Sequence, residues 1–430
     1  MLSARRLYRF PVLLACCIGI GYSLQAQNNP IVSNTDESKV PPYTLPGVMT
    51  MPDGKQARSS GQWLEVQRPR IYRLFEENVY GRFPVAKLPV TFKTLSVDEH
   101  ALQGRAIRKL VDIYLNNDTA AVIHLLLYLP HATQRVPVFL GLNFLGNQSI
   151  YNDPAVPVTT RYTVNGSGVV NNHATETSRG VSAAQWQVDT LLAHGYGLAS
   201  FFCGDAEEDF PEGWKQGFRS KLQQALHIAP QEWGALGVWA WALTQAMDYL
   251  QQDPQVNAKQ VCLIGHSRLG KAALWAGASD LRFAVVYSNE SGEGGAALAR
   301  RWYGETVGII NTKFPHWFCS KYKEYNDRVN DLPVDQHMLL ALIAPRPLYV
   351  ASAEGDQWSD PRGEFLSAWH ASAVYALMGK KGIPSDSMPP LHQPVGSTVR
   401  YHIRAGKHDV TLYDWQQYIA FADKYCSPAK

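Results

Sequence analysis

The stretch Val261-Cys262-Leu263-Ile264-Gly265-His266-Ser267-Arg268-Leu269-Gly270-Lys271, running on into Ala272, Ala273 and Leu274, decides the fold. Residues 261–265 read as a buried strand and the alanine-rich run over 269–277 as a helix. Gly-x-Ser-x-x-Gly lies between them. A serine on a sharp strand-to-helix turn needs small neighbours, because strand and helix crowd the backbone there. The turn lifts the Ser267 hydroxyl above the strand ends and sets it at a helix N-terminus, where partial positive charge assists a nucleophile. The usual elbow has its second glycine two residues after the serine; here it is the third, Gly270.

Working outward, apolar runs predict strands at 122–129, 136–142, 197–202, 283–288, 347–353 and 399–405. Longer periodic segments predict helices at 184–194, 236–252, 363–378 and 412–425. Strands alternating with helices imply an α/β-hydrolase fold, a mostly parallel central sheet covered by helices on both faces. Nothing splits residues 27–430, so one catalytic domain is expected. Residues 27–60 form an irregular Pro-rich lead-in, and 145–182 a Gly/Asn/Thr-rich loop insertion whose length marks it as functional.

The 430 residues are 46% apolar and include twelve Trp, which excludes a disordered or disulfide-dense chain and supplies a large core. The net charge of +3 is matched by Arg5, Arg6 and Arg9, so the rest is neutral and offers no basic field to nucleic acid. Those arginines precede a short apolar stretch, 10–24, and Leu24-Gln25-Ala26 resembles a small-residue cleavage site. Residues 1–26 therefore read as a signal peptide, and a secreted or periplasmic location is expected. A lipoprotein signal ending at Cys16 fits less well, because the apolar region continues past it. No membrane span is expected, since no later stretch approaches ~18 uninterrupted apolar residues. Cleavage leaves Cys203, Cys262, Cys319 and Cys426, enough for two bridges in any of three pairings. Cys262, inside a strand, reads equally as a buried thiol. Neither CxxC nor HExxH spacing occurs, so no metal and no cofactor is expected.

A nucleophilic serine needs a base, and in this fold acid and histidine follow it at the ends of later strands. His408, in Arg404-Ala405-Gly406-Lys407-His408-Asp409, follows the last expected strand and takes that place. His402 falls inside the strand and reads as structural; His266 adjoins the nucleophile as a supporting group. Glu290 and Asp356 each follow a strand and compete to orient the imidazole. The oxyanion needs donors: the backbone N–H of Arg268, a second from 143–146, and the Arg268 guanidinium.

The motifs Gly-His-Ser-Arg-Leu-Gly-Lys at 265–271, Ser-Asn-Glu-Ser-Gly at 288–292, Asp335-Gln336-His337, and Leu342-Ile343-Ala344-Pro345-Arg346-Pro347 occur in order. With Glu354-Gly355-Asp356-Gln357-Trp358-Ser359-Asp360-Pro361 and Gly406-Lys407-His408, they resemble the bacterial glucuronoyl esterases of carbohydrate esterase family 15. The resemblance implies hydrolysis of glucuronoyl or 4-O-methyl-glucuronoyl esters, the linkage between glucuronoxylan and lignin alcohols. It implies Ser267 as nucleophile, His408 as base, Glu290 as acid, Asp356 as additional or substitute acid, and Arg268 at the oxyanion. Lys271 and Glu305 would bind sugar hydroxyls and Trp358 line the sugar pocket. Fungal relatives have Cys where this chain has His266, so their bridge at the nucleophile does not transfer. Alternative readings are an acetyl-xylan or general carboxyl esterase of the same fold, or a noncatalytic carbohydrate-binding homologue. Lys271, Glu305 and Trp358 disfavour the first, and the intact Ser267, His408 and acids the second.

Overall fold

Ten segments pair into one sheet: β1 (Val90–His100), β2 (Ala106–Leu115), β3 (Val122–Leu129), β4 (Val136–Asn143), β5 (Gly197–Phe202), β6 (Val256–His266), β7 (Val285–Asn289), β8 (Leu348–Ala353), β9 (Val395–Gly396) and β10 (Val399–Arg404). The structure is a computed structural model and describes residues 33–428; the expected signal peptide lies outside the described residues. Strand order is β1-β2-β3-β5-β4-β6-β7-β8-β10-β9. The run from β5 to β10 is parallel, while β1, β2, β3 and the short β9 pair antiparallel at the edges. Every residue of β4, β5, β7 and β8 is buried, as strands covered on both faces require.

Helices α1 (Arg68–Phe75), α2 (Ala235–Leu250), α3 (Arg268–Ser279), α4 (Pro361–Leu377) and α5 (Leu412–Ala422) accompany the sheet. One apolar cluster gathers Trp239 of α2, Trp275 of α3 and Phe365 of α4; a second gathers Trp415 and Tyr418 of α5 with Val188 and Leu191. The α/β-hydrolase architecture is thus present, with apolar packing on each side of the sheet. No helix of the described residues is long and apolar enough to cross a membrane.

The structure differs from the sequence reading, or goes beyond it, in three places. The helix expected over 184–194 is two short ones, Ala183–Trp186 and Val188–Ala193, separated at Gln187, whose φ is +46°. Strands β1 and β2 were not foreseen. Two bridges are not formed: Cys203, Cys262, Cys319 and Cys426 are all buried free thiols, Cys262 and Cys426 facing each other at 3.7 Å between sulfurs, well beyond the ~2.05 Å of a bond. The loop over 145–182 carries a two-stranded ribbon, Val169–Val170 with His173–Ala174.

Candidate active site

Ser267 stands between β6 and α3 at φ 55°, ψ −134°, a strained conformation for a residue with a side chain. A Cβ on Gly265 would meet the Leu269 carbonyl oxygen at 2.1 Å, which explains the glycine before the elbow. Gly270 lies where a Cβ would sit 3.0 Å from Gly265 O and from Ser291 Cβ, so the displaced second glycine serves the same close approach. The Ser267 N–H donates to Asn289 O at 2.9 Å, fixing the elbow to β7.

Ser267 and His408 line one cavity of about 350 Å3 together with Arg268, Lys271, Glu305, Asp356 and Trp358. Phe314, Trp317 and Ser359 complete its wall. The loop bearing His408 is stapled by Arg404, which donates to the carbonyls of Ala405, Lys407 and Asp409 as well as to Glu290 and Asp414. His402 is structural as expected, held between Tyr349 and Asp414.

Both competing acids reach the imidazole. His408 Nδ1 is 2.6 Å from Asp356 Oδ2 and 3.2 Å from Glu290 Oε2. Glu290, fully buried, also accepts from Arg404 Nη2 at 2.6 Å and from the Asp409 N–H at 3.1 Å. Burial pushes the Glu290 carboxyl up to about 7, despite His408 and Arg404. Burial also raises Asp356, but its bond to His408 and the imidazolium charge outweigh that and hold it below the usual range. Burial disfavours the His408 cation, yet Asp356 and Glu290 overcome it and raise the imidazole above its ordinary value, so the two carboxylates favour the cation formed when His408 takes a proton. Asp356 is therefore the acid that stays charged.

His266 packs ring to ring with His408 at 4.4 Å and turns Nδ1 to Asn289 Oδ1 at 2.6 Å. Burial and the neighbouring His408 charge push it down to about 3, so it remains neutral. Among the described residues, His266, Glu290 and His408 present atoms close enough to form a metal-ligand set. Those residues are engaged already, Glu290 with Arg404 and Asp409, His408 with Asp356, and His266 with Asn289.

Within the expected donor segment 143–146, the Phe144 and Leu145 N–H groups make no backbone hydrogen bond among the described residues, whereas two other groups are engaged. Gly146 N–H is taken by Asn143 Oδ1 at 2.8 Å, and Asn143 Nδ2 donates to Asn147 and Ser200. What this loop brings to the site is Phe144, whose ring lies 4.5 Å from the Arg268 guanidinium. The backbone N–H of Arg268, at the start of α3, makes no backbone hydrogen bond among the described residues.

Lys271 lines the cavity beside Glu305 and is tied into a buried network. It is buried, and its ammonium donates to Ser291 O at 2.7 Å, Glu293 O at 2.6 Å and Glu305 Oε1 at 2.6 Å. Glu305 is held in turn: Oε1 also accepts from the Glu293 N–H at 3.1 Å, and Oε2 accepts from the Trp358 indole at 3.0 Å. The acceptor that this cluster offers the cavity is the Glu305 carboxylate. The Trp358 ring carries the Lys313 ammonium 4.3 Å from its centroid.

Sequence reasoning missed Asp209, Phe314 and Trp317. Asp209 sits in an acidic run, Glu207-Glu208-Asp209, that reads as solvated. The dense aromatic segment Phe314-Pro315-His316-Trp317-Phe318 was the available signal for the other two.

Comparison with known proteins places this arrangement among relatives. The family profile described as glucuronyl esterase, fungi, matches residues 219–379. A curated carbohydrate esterase of an unknown prokaryotic organism is 48% identical over 398 residues, covering 91% of this chain and 92% of that protein. The solved glucuronoyl esterase from Solibacter usitatus superposes with a TM-score of 0.85 at 50% identity, covering 91% of this chain and all of that one. A promiscuous esterase of carbohydrate esterase family 15 from the marine bacterial metagenome gives 0.86 at 46% identity, over 92% of this chain and all of that one.

Proposed function

Because the chain belongs to the glucuronoyl esterases of carbohydrate esterase family 15, we propose that Ser267 opens glucuronoyl esters by nucleophilic attack, with His408 as its base. The protein is a carboxylic ester hydrolase. Ser267 Oγ adds to the ester carbonyl while His408 takes its proton; the same imidazole then protonates the departing alcohol, and water repeats the sequence on the acyl-enzyme. Asp356 orients the imidazole and stabilises its cation. The Arg268 N–H and guanidinium receive the oxyanion. Glu305 accepts hydroxyl protons of the uronate ring, and the Trp358 face packs on the pyranose.

The observation that carries this reading is the shared cavity, with Ser267 and His408 beside Arg268, Glu305 and Trp358, and His408 gripped by Asp356 at 2.6 Å. The natural substrate is the ester between glucuronoxylan side chains and lignin alcohols, met outside the cytoplasm after export by the segment at 1–26. One preparation assayed on methyl glucuronate, benzyl glucuronate, methyl galacturonate and acetylated xylan tests the specificity. Preference for the glucuronate esters supports it. Equal or faster release of acetate overturns it in favour of an acetyl esterase.

A further inference from the structure

We propose that Asp209 is a positioning residue for the oxyanion, acting through the guanidinium of Arg268. This rests on the reading above that Arg268 stabilises the oxyanion. Asp209 Oδ2 lies 2.5 Å from Arg268 Nε, both side chains being largely buried, and the N–H direction makes it a charge contact more than an aligned hydrogen bond. Asp209 sits on the Nε side of the guanidinium, and among the described residues no protein acceptor takes the two Nη nitrogens. Aromatic faces confine the same guanidinium, Phe144 at 4.5 Å and Trp317 at 5.8 Å. A planar cation flanked by aromatic rings and charge-paired at one edge has few orientations left.

Asp209 is itself fixed. Its Oδ1 accepts from the Trp317 indole at 2.7 Å and lies 2.8 Å from His316 Nε2. Burial alone would raise this carboxyl, but Arg268, His316 and Trp317 together hold it down at about 2, so the tether stays charged through the working pH range. The chain two residues before it is anchored too: the Glu207 carboxylate takes Arg219 and its carbonyl takes the Trp239 indole N–H at 2.9 Å. The tether is therefore built on a rigid base, as a group that must meet developing charge without reorganising requires.

Asp209→Asn, Arg268→Ala and the double variant, each checked for an unchanged melting profile, test this on benzyl glucuronate. Removing an oxyanion donor costs ~10²–10³-fold in kcat, and loosening one is expected to cost ~10–100-fold, with KM moved less than threefold. In the Arg268→Ala background, Asp209→Asn should add less than a twofold loss, because the group it positions is gone. If Arg268→Ala slows the enzyme while Asp209→Asn does not, the positioning role is wrong and the oxyanion assignment stands. Multiplying losses in the double variant, or a loss confined to KM, would equally overturn it. An active Arg268→Ala enzyme would remove the oxyanion reading and this inference with it.

Discussion

Asp356→Asn is expected to slow turnover about a hundredfold, and Glu290→Gln less than tenfold. Distance does not rank the two acids. At an effective dielectric of about 20, separations of 2.6 and 3.2 Å from His408 Nδ1 correspond to about 6 and about 5 kcal/mol of attraction. Arg404 separates them, because its Nη2 lies 2.6 Å from Glu290 Oε1 and cancels much of that carboxylate's field at the imidazole. Burial raises Glu290 to about 7 as well, so part of the population is neutral where Asp356 is charged. Neutralising the orienting carboxylate of a triad that has no substitute costs ~10⁴-fold in kcat. Here Glu290 remains in reach, so the single loss at Asp356 is cut to about 10², or about 2.7 kcal/mol, and only the double variant approaches 10⁴. Turnover of benzyl glucuronate from pH 5 to 10 reads both effects. Since Asp356 favours the imidazolium, its removal lowers the imidazole pKa, and the acid limb of kcat/KM moves to lower pH. A Glu290→Gln enzyme slower than Asp356→Asn, a double variant no worse than Asp356→Asn, or an acid limb moving upward would refute the ranking.

Ser267→Ala should abolish turnover while glucuronate binding, followed by calorimetry, survives; near-normal turnover removes Ser267 from the mechanism. Lys271→Met strands the Glu305 carboxylate and two buried carbonyls, and breaking a buried pair in this way costs ~3–5 kcal/mol. For a domain of this size that is about 4–6 °C of melting temperature by scanning calorimetry, with glucuronate esters losing far more rate than p-nitrophenyl acetate; an unchanged Tm contradicts the buried network. Burial raises Glu364 to about 8, so the folded chain keeps a proton that the unfolded chain loses near its ordinary value. Its contribution is full below the unfolded pKa and is lost as pH rises toward 8. Glu364→Gln should therefore flatten the fall of Tm between pH 5 and 8, and an unaltered slope would show that this carboxyl is not protonated in the native state.

What could be read from the chain followed burial. Strands buried on both faces are unbroken apolar runs, so β4, β5 and β8 and the elbow before α3 were legible, and the order serine, acid, histidine pointed to Ser267, Asp356 and His408, which line one cavity. β2 hid because Arg108, Lys109 and Asp112 interrupt its pattern and are buried all the same; Asp153 neutralises Arg108 and Asp253 neutralises Lys109 from distant parts of the chain. The helix break at Gln187 needs a left-handed residue where no glycine or asparagine announces one. Lys271 was legible as the partner of Glu305, but its bonds to the Ser291 and Glu293 carbonyls were not, because backbone acceptors leave no trace in side-chain identity. Asp209 was invisible because its partners, Arg268, His316 and Trp317, come together only in three dimensions.

One short loop explains why the motif Ser288-Asn289-Glu290-Ser291-Gly292 is so informative. Its residues touch each working part of the site in turn. Asn289 O holds the Ser267 backbone and Asn289 Oδ1 holds His266. Glu290, at φ 47°, reaches His408 and takes Arg404, which staples the loop bearing that histidine. Ser291 O takes Lys271, and the Gly292 N–H donates to Glu364 at 3.0 Å beneath. Gly292 has φ +56°, and a Cβ there would lie 2.2 Å from Glu305 Oε1, so any larger residue would drive the Glu305 carboxylate out of place. Ser267, His408 and Glu305 are therefore set relative to one another by one turn at the end of β7, within a rigid sheet. A site that must hold an ester carbonyl and the hydroxyls of the same sugar at a fixed separation gains more from such a shared anchor than from independent loops, because displacement of the anchor moves its parts together.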